Sequence, residues 1–287
     1  MKIRNFAYII GLILAISIIF NSCDVIEPPY RTKPINGGDT TKKYRKILIE
    51  DFTGQHCKEC PEAADLIKEL HEVYKDRLIA MAIHSGYYAK PKPPTYPYDF
   101  RTSEGTEIDN YFGVNAVGNP NGMVNRRIFD GSRIVGPTKW GASIQEFLNE
   151  EASITLNLTA SYNSSNKEIK ATIEGEYLKQ GTADHHLAVF IVEDSVVQYQ
   201  IDKRKTPADI PDYVHNHALR ASMNNSAWGE KISDTDISAG FKFTKNYSYT
   251  IAADKDWRPE KLKIIAYVHD KGASYEILQV EEIPVIK

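Results

Sequence analysis

The sequence predicts an α/β domain followed by an all-β sandwich domain. Up to about residue 150, short apolar segments typical of strands alternate with longer segments whose apolar residues recur at helical spacing. From residue 153 the apolar residues instead recur at every second position, in segments separated by Gly, Asn and Asp. A chain of 287 residues also suits two domains better than one. We therefore expect one domain over residues 45–150 and a second over residues 151–287.

The first domain is expected to begin with a strand, a helix and a second strand. Residues 45–52 contain the apolar run Ile47-Leu48-Ile49, and residues 78–84 form a similar run. Between them, residues 61–77 carry apolar side chains at helical spacing, with a proline in the first turn, where no helical hydrogen bond is lost. The elements expected next are a proline- and tyrosine-rich loop over 85–101, a helix over 103–114, a strand over 122–129 and a helix over 138–152.

The second domain is predicted from repeated strand-like segments without intervening helices. Alternation of apolar and polar residues is typical of strands that bury one face. Strands that follow one another at this spacing favour an antiparallel sandwich. The segments lie at residues 153–162, 168–178, 186–197, 240–253, 262–270 and 276–286.

The N-terminus resembles a bacterial lipoprotein signal. Lys2 and Arg4 precede an uncharged, mostly apolar run over residues 6–20, which is shorter than the roughly 20 residues that a spanning helix needs. The run ends at Asn21-Ser22-Cys23. The resemblance implies a signal peptide over residues 1–22, lipid on Cys23 that anchors the chain to a membrane, and a flexible tether over residues 23–44. An ordinary signal peptide with a chance cysteine, or an uncleaved short anchor, are the alternatives.

Composition excludes several classes of function. The formal net charge is −3 and the sequence contains no basic block, so nucleic acid is not expected as a partner. The chain contains no G-x-S-x-G, phosphate-loop or H-E-x-x-H motif. No cofactor is expected.

The pair Cys57 and Cys60 is the main candidate site. Outside the cytoplasm disulfides persist, and lipidation of Cys23 would leave these two cysteines only each other within the chain. In the first turn of a helix, positions i and i+3 share one face, so the two sulfurs can meet. The helix dipole favours a thiolate on Cys57, which would act as nucleophile while Cys60 resolves.

The neighbours of the cysteines affect the thiolate in opposite directions. A protonated His56 and the ammonium group of Lys58 would favour it, whereas Glu59 would oppose it. A structural disulfide is an alternative, although so short a loop removes little entropy from the unfolded chain. A metal site is a further alternative, but few other ligands lie close in the sequence.

The order of the elements in the first domain resembles the thioredoxin fold. The motif Cys57-Lys58-Glu59-Cys60 lies where a strand gives way to a helix, and Asn119-Pro120 precedes the third strand. The resemblance implies a cis Pro120 that faces the cysteines, with Asn119 lining a substrate groove. Thioredoxins carry Trp before the first cysteine and Gly-Pro between the two, where this chain has His56 and Lys58-Glu59.

A closer resemblance covers roughly residues 45–287. The segments LIEDFTGQHCKECPEAA, VEDSVVQ, DYVHNHALRASMNNSAWGEKI and LKIIAYVHDKGASYEILQVEEIPV together resemble the lipoprotein family known as outer membrane protein 28, found in Bacteroidetes-type bacteria. The family implies an outer membrane lipoprotein of the cell envelope with a thioredoxin-like domain and an immunoglobulin-like β-sandwich. It does not imply a settled biochemical activity.

Two further groups of side chains are candidate sites. His215 and His217 would share a face of a strand and could bind a metal, with His185 or His186 as a third ligand, or could instead bond backbone carbonyls. Aromatic residues in the proline-rich loop either bind a chain or glycan or pack under the loop itself. They are Tyr87, Tyr88, Tyr96 and Tyr98.

We therefore expect a lipid-anchored envelope protein that exchanges thiols and disulfides on an exported partner. The alternative is a non-catalytic surface protein that binds protein or glycan and in which Cys57–Cys60 is a structural disulfide.

Overall fold

The computed structural model describes residues 43–272 and 274–286. The predicted signal peptide, Cys23 and all but the last two residues of the predicted tether lie outside the described residues. Within the described ranges, no helix is both long enough and apolar enough to cross a membrane.

The fold is mixed α/β, and strands predominate. The helices are α1 (Cys60–Tyr74), α2 (Ser103–Phe112), α3 (Val114–Val117) and α4 (Pro137–Gln145), with short 3-10 turns at Lys75–Arg77, Tyr87–Ala89 and Pro259–Lys261. The strands before residue 151 are β1 (Ile47–Thr53), β2 (Leu78–His84) and β3 (Asn121–Val124). Those after it are β4 (Ile154–Asn163), β5 (Glu168–Tyr177), β6 (His185–Glu193), β7 (Val196–Ile201), β8 (Asp209–His215), β9 (Ala218–Ser222), β10 (Glu230–Lys231), β11 (Lys242–Thr250), β12 (Leu262–Asp270) and β13 (Ile277–Pro284).

One eight-stranded sheet extends through the molecule in the order β13-β12-β6-β9-β2-β1-β3, and β10 also pairs with β6. Strands β1 and β2 are parallel and are joined by α1, as a right-handed βαβ crossover requires. The link to the later strands is narrow: β2 pairs with β9 only through Ala82 and Ala218. Separate sheets are formed by β11-β5-β4 and by the β7-β8 hairpin.

Strands β6 and β12 are buried on both faces. Alternate residues of β6 enter two different cores: Val189 and Ile191 pack against β4 and β5, whereas Phe190 and Val192 pack against residues of β1 and β2. Burial of both faces explains why the sequence of β6 is a continuous apolar run rather than an alternation of apolar and polar residues. The three-stranded sheet thus forms a sandwich with the C-terminal strands of the large sheet.

The described residues pack as one compact unit. The change from mixed to all-strand structure after α4 agrees with the periodicity of the sequence. The hydrogen-bonded sheet, however, combines strands from both sides of residue 151. The boundary at 150/151 therefore stays a prediction: the sandwich core consists of residues after 151, but one of its two sheets continues into β2, β1 and β3.

A buried ion pair links β1 to the rest of the large sheet. Glu50 and Arg126 are both fully buried, and the guanidinium donates through Nε and Nη2 to the two carboxylate oxygens at 2.7 and 2.6 Å. Nη2 also donates to the hydroxyl of Tyr267 on β12 at 2.8 Å. The guanidinium carbon lies 5.4 Å from the ring of Phe112 and 5.7 Å from that of Trp228. The Glu50 carboxylate raises the pKa of Arg126 against the opposing effect of burial.

Arg126→Met should destabilise the protein strongly, because it leaves the Glu50 carboxylate buried without its cation. We expect a loss of about 3–5 kcal/mol in the free energy of unfolding, measured by chemical denaturation. The double variant Glu50→Leu/Arg126→Met should recover most of this loss, since no uncompensated charge remains.

Arg101→Met is the matched control, because Arg101 pairs with Asp99 near the surface, at 2.7 Å. It should cost less than about 1 kcal/mol. Equal losses for Arg101→Met and Arg126→Met would contradict a special role for the buried pair.

Candidate functional site

The cysteine pair lies where β1 gives way to α1. Cys57 stands in the loop after β1, Cys60 is the first residue of α1, and Pro61 occupies the first turn. The two sulfurs form a disulfide, with the Cα atoms 5.3 Å apart. Cys57 is 2% exposed and Cys60 3% exposed. The predicted pairing and its place at the start of a helix are present, but neither sulfur is open to bulk solvent.

The turn at Tyr87–Ala89 covers one side of the loop that carries Cys57. The N–H of His56 donates to the carbonyl of Tyr88 at 3.0 Å. Gly54 lies so close to this turn that a Cβ atom there would be 2.4 Å from the Tyr88 carbonyl carbon. Only glycine permits this approach, so Gly54 is required for the contact.

The β7-β8 hairpin covers the other side of the loop. The side-chain amide of Gln200, on β7, donates to the carbonyl of Cys57 at 3.0 Å, and the N–H of Ile201 donates to the carbonyl of Gln55 at 3.0 Å. Beyond β7, the N–H of Lys203 donates to the carbonyl of Lys58 at 3.1 Å. The cysteine loop is therefore clamped between two segments, one from each half of the chain.

Ion pairs add to the contact between the hairpin and α1. Arg204 Nη1 lies 2.8 Å from Asp65 Oδ2, and Lys203 Nζ lies 3.6 Å from Glu62 Oε2 and 3.8 Å from Glu59 Oε1. These side chains are largely exposed, so each pair adds less than about 1 kcal/mol. They orient the hairpin tip over the start of α1.

A cavity of about 480 Å³ lies behind the disulfide, between α1, β2 and β8. Cys60 contributes to its wall, whereas Cys57 does not. Because β1 and β2 pair in register at Asp51–Ala82 and Thr53–His84, these residues share the face that meets α1. The wall also contains Gln200, Tyr213, His215, His217, His71 and Lys263.

Asp51 is a candidate site residue that the sequence did not point to. It is 3% exposed, and its Oδ1 has no hydrogen-bond partner in the described part of the chain. Burial raises the pKa of this carboxyl to about 7. Its signal in the sequence is a second carboxylate, directly after Glu50, within the predicted strand over residues 45–52 and six residues before Cys57.

Histidine side chains line the cavity as neutral groups. Burial lowers the pKa of His84 well below its usual value, and burial lowers the pKa of His215 to about 4. The rings of His84 and His215 lie 5.6 Å apart, and those of His71 and His217 lie 5.3 Å apart. Each can therefore donate one hydrogen bond and accept one at neutral pH.

The predicted modulating residues differ in their surroundings. Burial, and then the charge of Lys92, lower the pKa of His56, so the expected positive imidazole beside Cys57 is disfavoured. The His56 ring packs on Tyr96 at 4.5 Å. Lys58 Nζ lies 3.9 Å from Glu59 Oε1, so these two opposite charges largely offset each other.

The Asn119–Pro120 peptide bond is cis. Pro120 lies beside a second, open groove along α1, which Glu59, Glu62 and Arg204 also line and which has a volume of about 740 Å³. Neither cysteine belongs to the wall of this groove. Both polar atoms of the Asn119 amide lack a hydrogen-bond partner among the described residues. The role of Asn119 and Pro120 toward a substrate stays a prediction.

The tyrosines of the proline-rich loop fall into two groups. The hydroxyls of Tyr96 and Tyr98 are hydrogen-bonded to carboxylates: that of Tyr96 donates to Asp209, and that of Tyr98 donates to Asp256 at 2.7 Å. Tyr96 is buried and Tyr98 is partly buried, and a binding role for these two tyrosines stays a prediction. Tyr87 and Tyr88 are 72% and 39% exposed, and their binding role stays a prediction.

The histidine pair of the sequence motif faces one cavity through different contacts. His215 packs against Phe100 at 4.7 Å, whereas Nδ1 of His217 lies 3.2 Å from Asp194 Oδ1. His185 accepts or donates a hydrogen bond with Tyr177, and His186 bonds the carbonyl of Asp184. Over the described ranges, no group of three or more His, Cys, Asp or Glu side chains is placed to hold a metal ion.

Two of the solved structures to which the chain is similar share its fold at low sequence identity. HBP35 of Porphyromonas gingivalis has a TM-score of 0.59 at 16% identity, with 85% of this chain and 76% of that chain covered. Protein AGR_C_4864 from Agrobacterium tumefaciens has a TM-score of 0.53 at 14% identity, with 86% and 97% covered. A domain of the outer membrane lipoprotein Omp28 from Porphyromonas gingivalis is 20% identical, with a TM-score of 0.32 and with 47% and 89% covered.

The family of the chain follows from its sequence. No curated protein matched the sequence of this chain. The family model described as outer membrane protein Omp28 matches residues 106–286, which is more than half of the chain and includes most of the large sheet and the hairpin over the cysteines. The predicted location in the outer membrane of the cell envelope is thereby confirmed. The chain belongs to the Omp28 family of outer membrane proteins.

Proposed function

We propose that this protein exchanges thiols and disulfides with an exported partner through Cys57 and Cys60. The observation that carries the proposal is the buried Asp51 carboxyl, which shares a cavity with Cys60. A disulfide that only staples a helix needs no ionisable group beside it. Thiol–disulfide exchange does, because one thiolate must be formed and another protonated in each cycle.

The pKa of Asp51 suits this role. A group whose pKa is about 7 can accept and return a proton near neutral pH. An unpaired buried carboxyl is costly to the folded state, and such groups concentrate at functional sites. Asp51 would take the proton of an attacking thiol and return it to the leaving thiolate.

The local architecture supports a thioredoxin-like assignment for the N-terminal half. A parallel β1-α1-β2 unit carries the cysteines at the start of its helix, and β3 is antiparallel to β1. The cis Asn119–Pro120 bond immediately precedes β3. We extend the proposal to this fold, in which the C-terminal half contributes strands to the same sheet.

A second candidate function is a non-catalytic envelope protein with a structural disulfide. The observation in its favour is the 2% exposure of Cys57 under the turn and the hairpin. In this case the exposed Tyr87 and Tyr88 would contribute to a surface that binds protein or glycan. The reduction potential separates the two candidates.

We also propose a lipid anchor at Cys23. Its support is the signal-like segment before it and the family's location in the outer membrane. Acyl chains add about 0.8 kcal/mol of membrane affinity per buried methylene. The exported partner and the anchoring membrane are the partners that this function implies.

Dithiothreitol should reduce the Cys57–Cys60 disulfide without denaturant, and the resulting dithiol should in turn reduce insulin disulfides and return to the disulfide. Equilibration with a thiol buffer should give a reduction potential above about −300 mV, because structural bridges lie below this value. The double variant Cys57→Ser/Cys60→Ser is the control and should show no exchange. A potential in the structural range, with no insulin reduction, would favour the non-catalytic candidate.

Asp51→Asn should change how stability depends on pH. In the oxidised wild type the pKa of Asp51 is raised from 3.8 to about 7, so the folded state binds its proton more tightly than the unfolded state. The contribution of this proton to the free energy of unfolding is complete below about pH 4. It is lost as the pH rises to about 7, and the loss amounts to up to about 4 kcal/mol. The variant should therefore gain stability relative to wild type by this amount between pH 4 and pH 8.

Chemical denaturation of the oxidised proteins at both pH values measures this difference. Glu72→Gln, on the exposed face of α1, is the control and should have the same free energy of unfolding as wild type at both pH values. A constant difference between Asp51→Asn and wild type would show that the carboxyl titrates normally.

Cys23→Ala should release the protein from the membrane. Fractionation of cells that express the wild type should find it in the membrane fraction, labelled by radioactive palmitate. The variant should carry no label and appear in the soluble fraction, since Lys2 and Arg4 leave with the signal peptide and no basic block remains. A membrane-bound, unlabelled Cys23→Ala protein would indicate an uncleaved anchor instead.

A further inference from the structure

The disulfide has an approach from inside the molecule. Cys60 forms part of the wall of the 480 Å³ cavity, and Cys57 does not. The loop that carries Cys57 is closed on one side by Tyr88 and on the other by Gln200. A molecule within the cavity therefore meets Cys60, whereas the approach to Cys57 is blocked from both sides.

The wall of the cavity selects a polar occupant. Asp51, His84 and His215 are 3%, 4% and 6% exposed. Each has one polar atom without a hydrogen-bond partner among the described side chains and backbone: Oδ1, Nδ1 and Nε2, respectively. An unsatisfied buried polar group costs about 1–3 kcal/mol, which a ligand with hydroxyl, amide or carboxyl groups would relieve.

Charged groups occur at the outer part of the same wall. Lys68 belongs to α1 and Lys263 to β12, and Glu282 lies 3.5 Å from Lys263. Cations and a carboxylate together complement a molecule that carries both carboxylate and ammonium groups. An apolar thiol would leave the buried polar atoms of Asp51, His84 and His215 unsatisfied.

We propose that the cavity binds a low-molecular-weight polar thiol, or its disulfide, and that exchange begins at Cys60. The inference rests on the proposed thiol–disulfide exchange. It adds a small thiol or disulfide as a second substrate beside the exported partner, and it names the sulfur that this small molecule attacks. It reverses the roles expected from the sequence, in which Cys57 is the nucleophile and Cys60 resolves.

The exchange balances in two steps. The thiolate of the small thiol attacks Sγ of Cys60, the Cys57–Cys60 bond breaks, and its electron pair leaves on Sγ of Cys57, which then takes a proton. A second molecule of thiolate attacks the sulfur of the bound thiol and releases Cys60 as a thiolate, which is protonated. Two small thiols are oxidised to one small disulfide, and the protein disulfide is reduced to two thiols. The reverse direction oxidises the protein.

A protein partner does not suit this route. Its chain would have to displace the Tyr87–Ala89 turn or the hairpin to reach Cys57, since both contact the cysteine loop through backbone hydrogen bonds. The cavity has room for a tripeptide-sized molecule but not for a folded domain. Size is therefore the property that separates the two classes of partner.

Single-cysteine variants test the sulfur that reacts. Full-length chains with Cys23→Ser are prepared with either Cys57→Ser or Cys60→Ser, so that only one thiol remains in each. Glutathione disulfide is the probe, and mass spectrometry measures the rate of mixed-disulfide formation. We expect Cys60 to react at least about tenfold faster than Cys57. For each reagent, the rate of reaction with Cys60 in the native protein is divided by the rate in denaturant. This ratio should be much lower for a bulky polyethylene-glycol maleimide than for glutathione disulfide.

Cavity-filling variants test the route. Ala64→Phe on α1 and Ala82→Leu on β2 both enlarge a side chain of the wall. Each should slow the reaction of Cys60 with glutathione disulfide at least about tenfold, by excluding the probe. Ala142→Phe, on the exposed face of α4, is the matched control and should leave the rate unchanged. Thermal denaturation identifies a variant that has unfolded, and the comparison of Cys57 with Cys60 needs no cavity variant.

Faster reaction at Cys57, or equal rates for the filled and control variants, would overturn the inference. If the wild-type disulfide still exchanges with dithiothreitol after such a result, the proposed function stands without the cavity route through Cys60. If neither cysteine reacts with either probe in the native protein, and the wild-type disulfide resists dithiothreitol, both proposals fail.

Discussion

The structure depends on the complete burial of strand β1, which carries two adjacent carboxylates on opposite faces. On one face Glu50 is matched by Arg126, whose guanidinium also reaches Tyr267 on β12. That pair joins the first strand of the fold to one of the last. On the other face no cation among the described residues pairs with Asp51, and burial raises the pKa of its carboxyl to about 7. The two faces of β1 thus differ: one carries a neutralised carboxylate that links strands, and the other carries the carboxyl to which we assign a role in proton transfer.

The sequence predicted the local elements more fully than their assembly. The strand, cysteine pair, helix and strand of the N-terminal half follow from periodicity and from Pro61, which are local signals. The pairing of β2 with β9 is not local: it rests on Ala82 and Ala218, far apart in the sequence. Strand order of this kind depends on tertiary packing, which propensity does not encode. The sequence therefore did not indicate that one sheet of the sandwich continues into the strands of the N-terminal half.

The candidate site was predicted in its covalent chemistry but not in its surroundings. The disulfide and the cis Pro120 could be expected from the motif and its resemblance, whereas the cover over Cys57 could not. Gln200 reaches the cysteine loop from a hairpin whose sequence shows only alternation. His56 looked like a positive neighbour, but burial disfavours its charge. Asp51 lies inside the predicted strand over residues 45–52, but the sequence does not show that both faces of this strand are buried.

The contact between Gln200 and Cys57 spans 143 positions of the chain, and this separation has a consequence for biogenesis. Under the proposed export from the N-terminus, both cysteines would reach the envelope well before the residues that enclose them. During this interval Cys57 would be accessible to the oxidants of that compartment, and afterwards it would be enclosed. The redox history of the protein would therefore have two periods, an early one governed by its assembly and a later one governed by its interior.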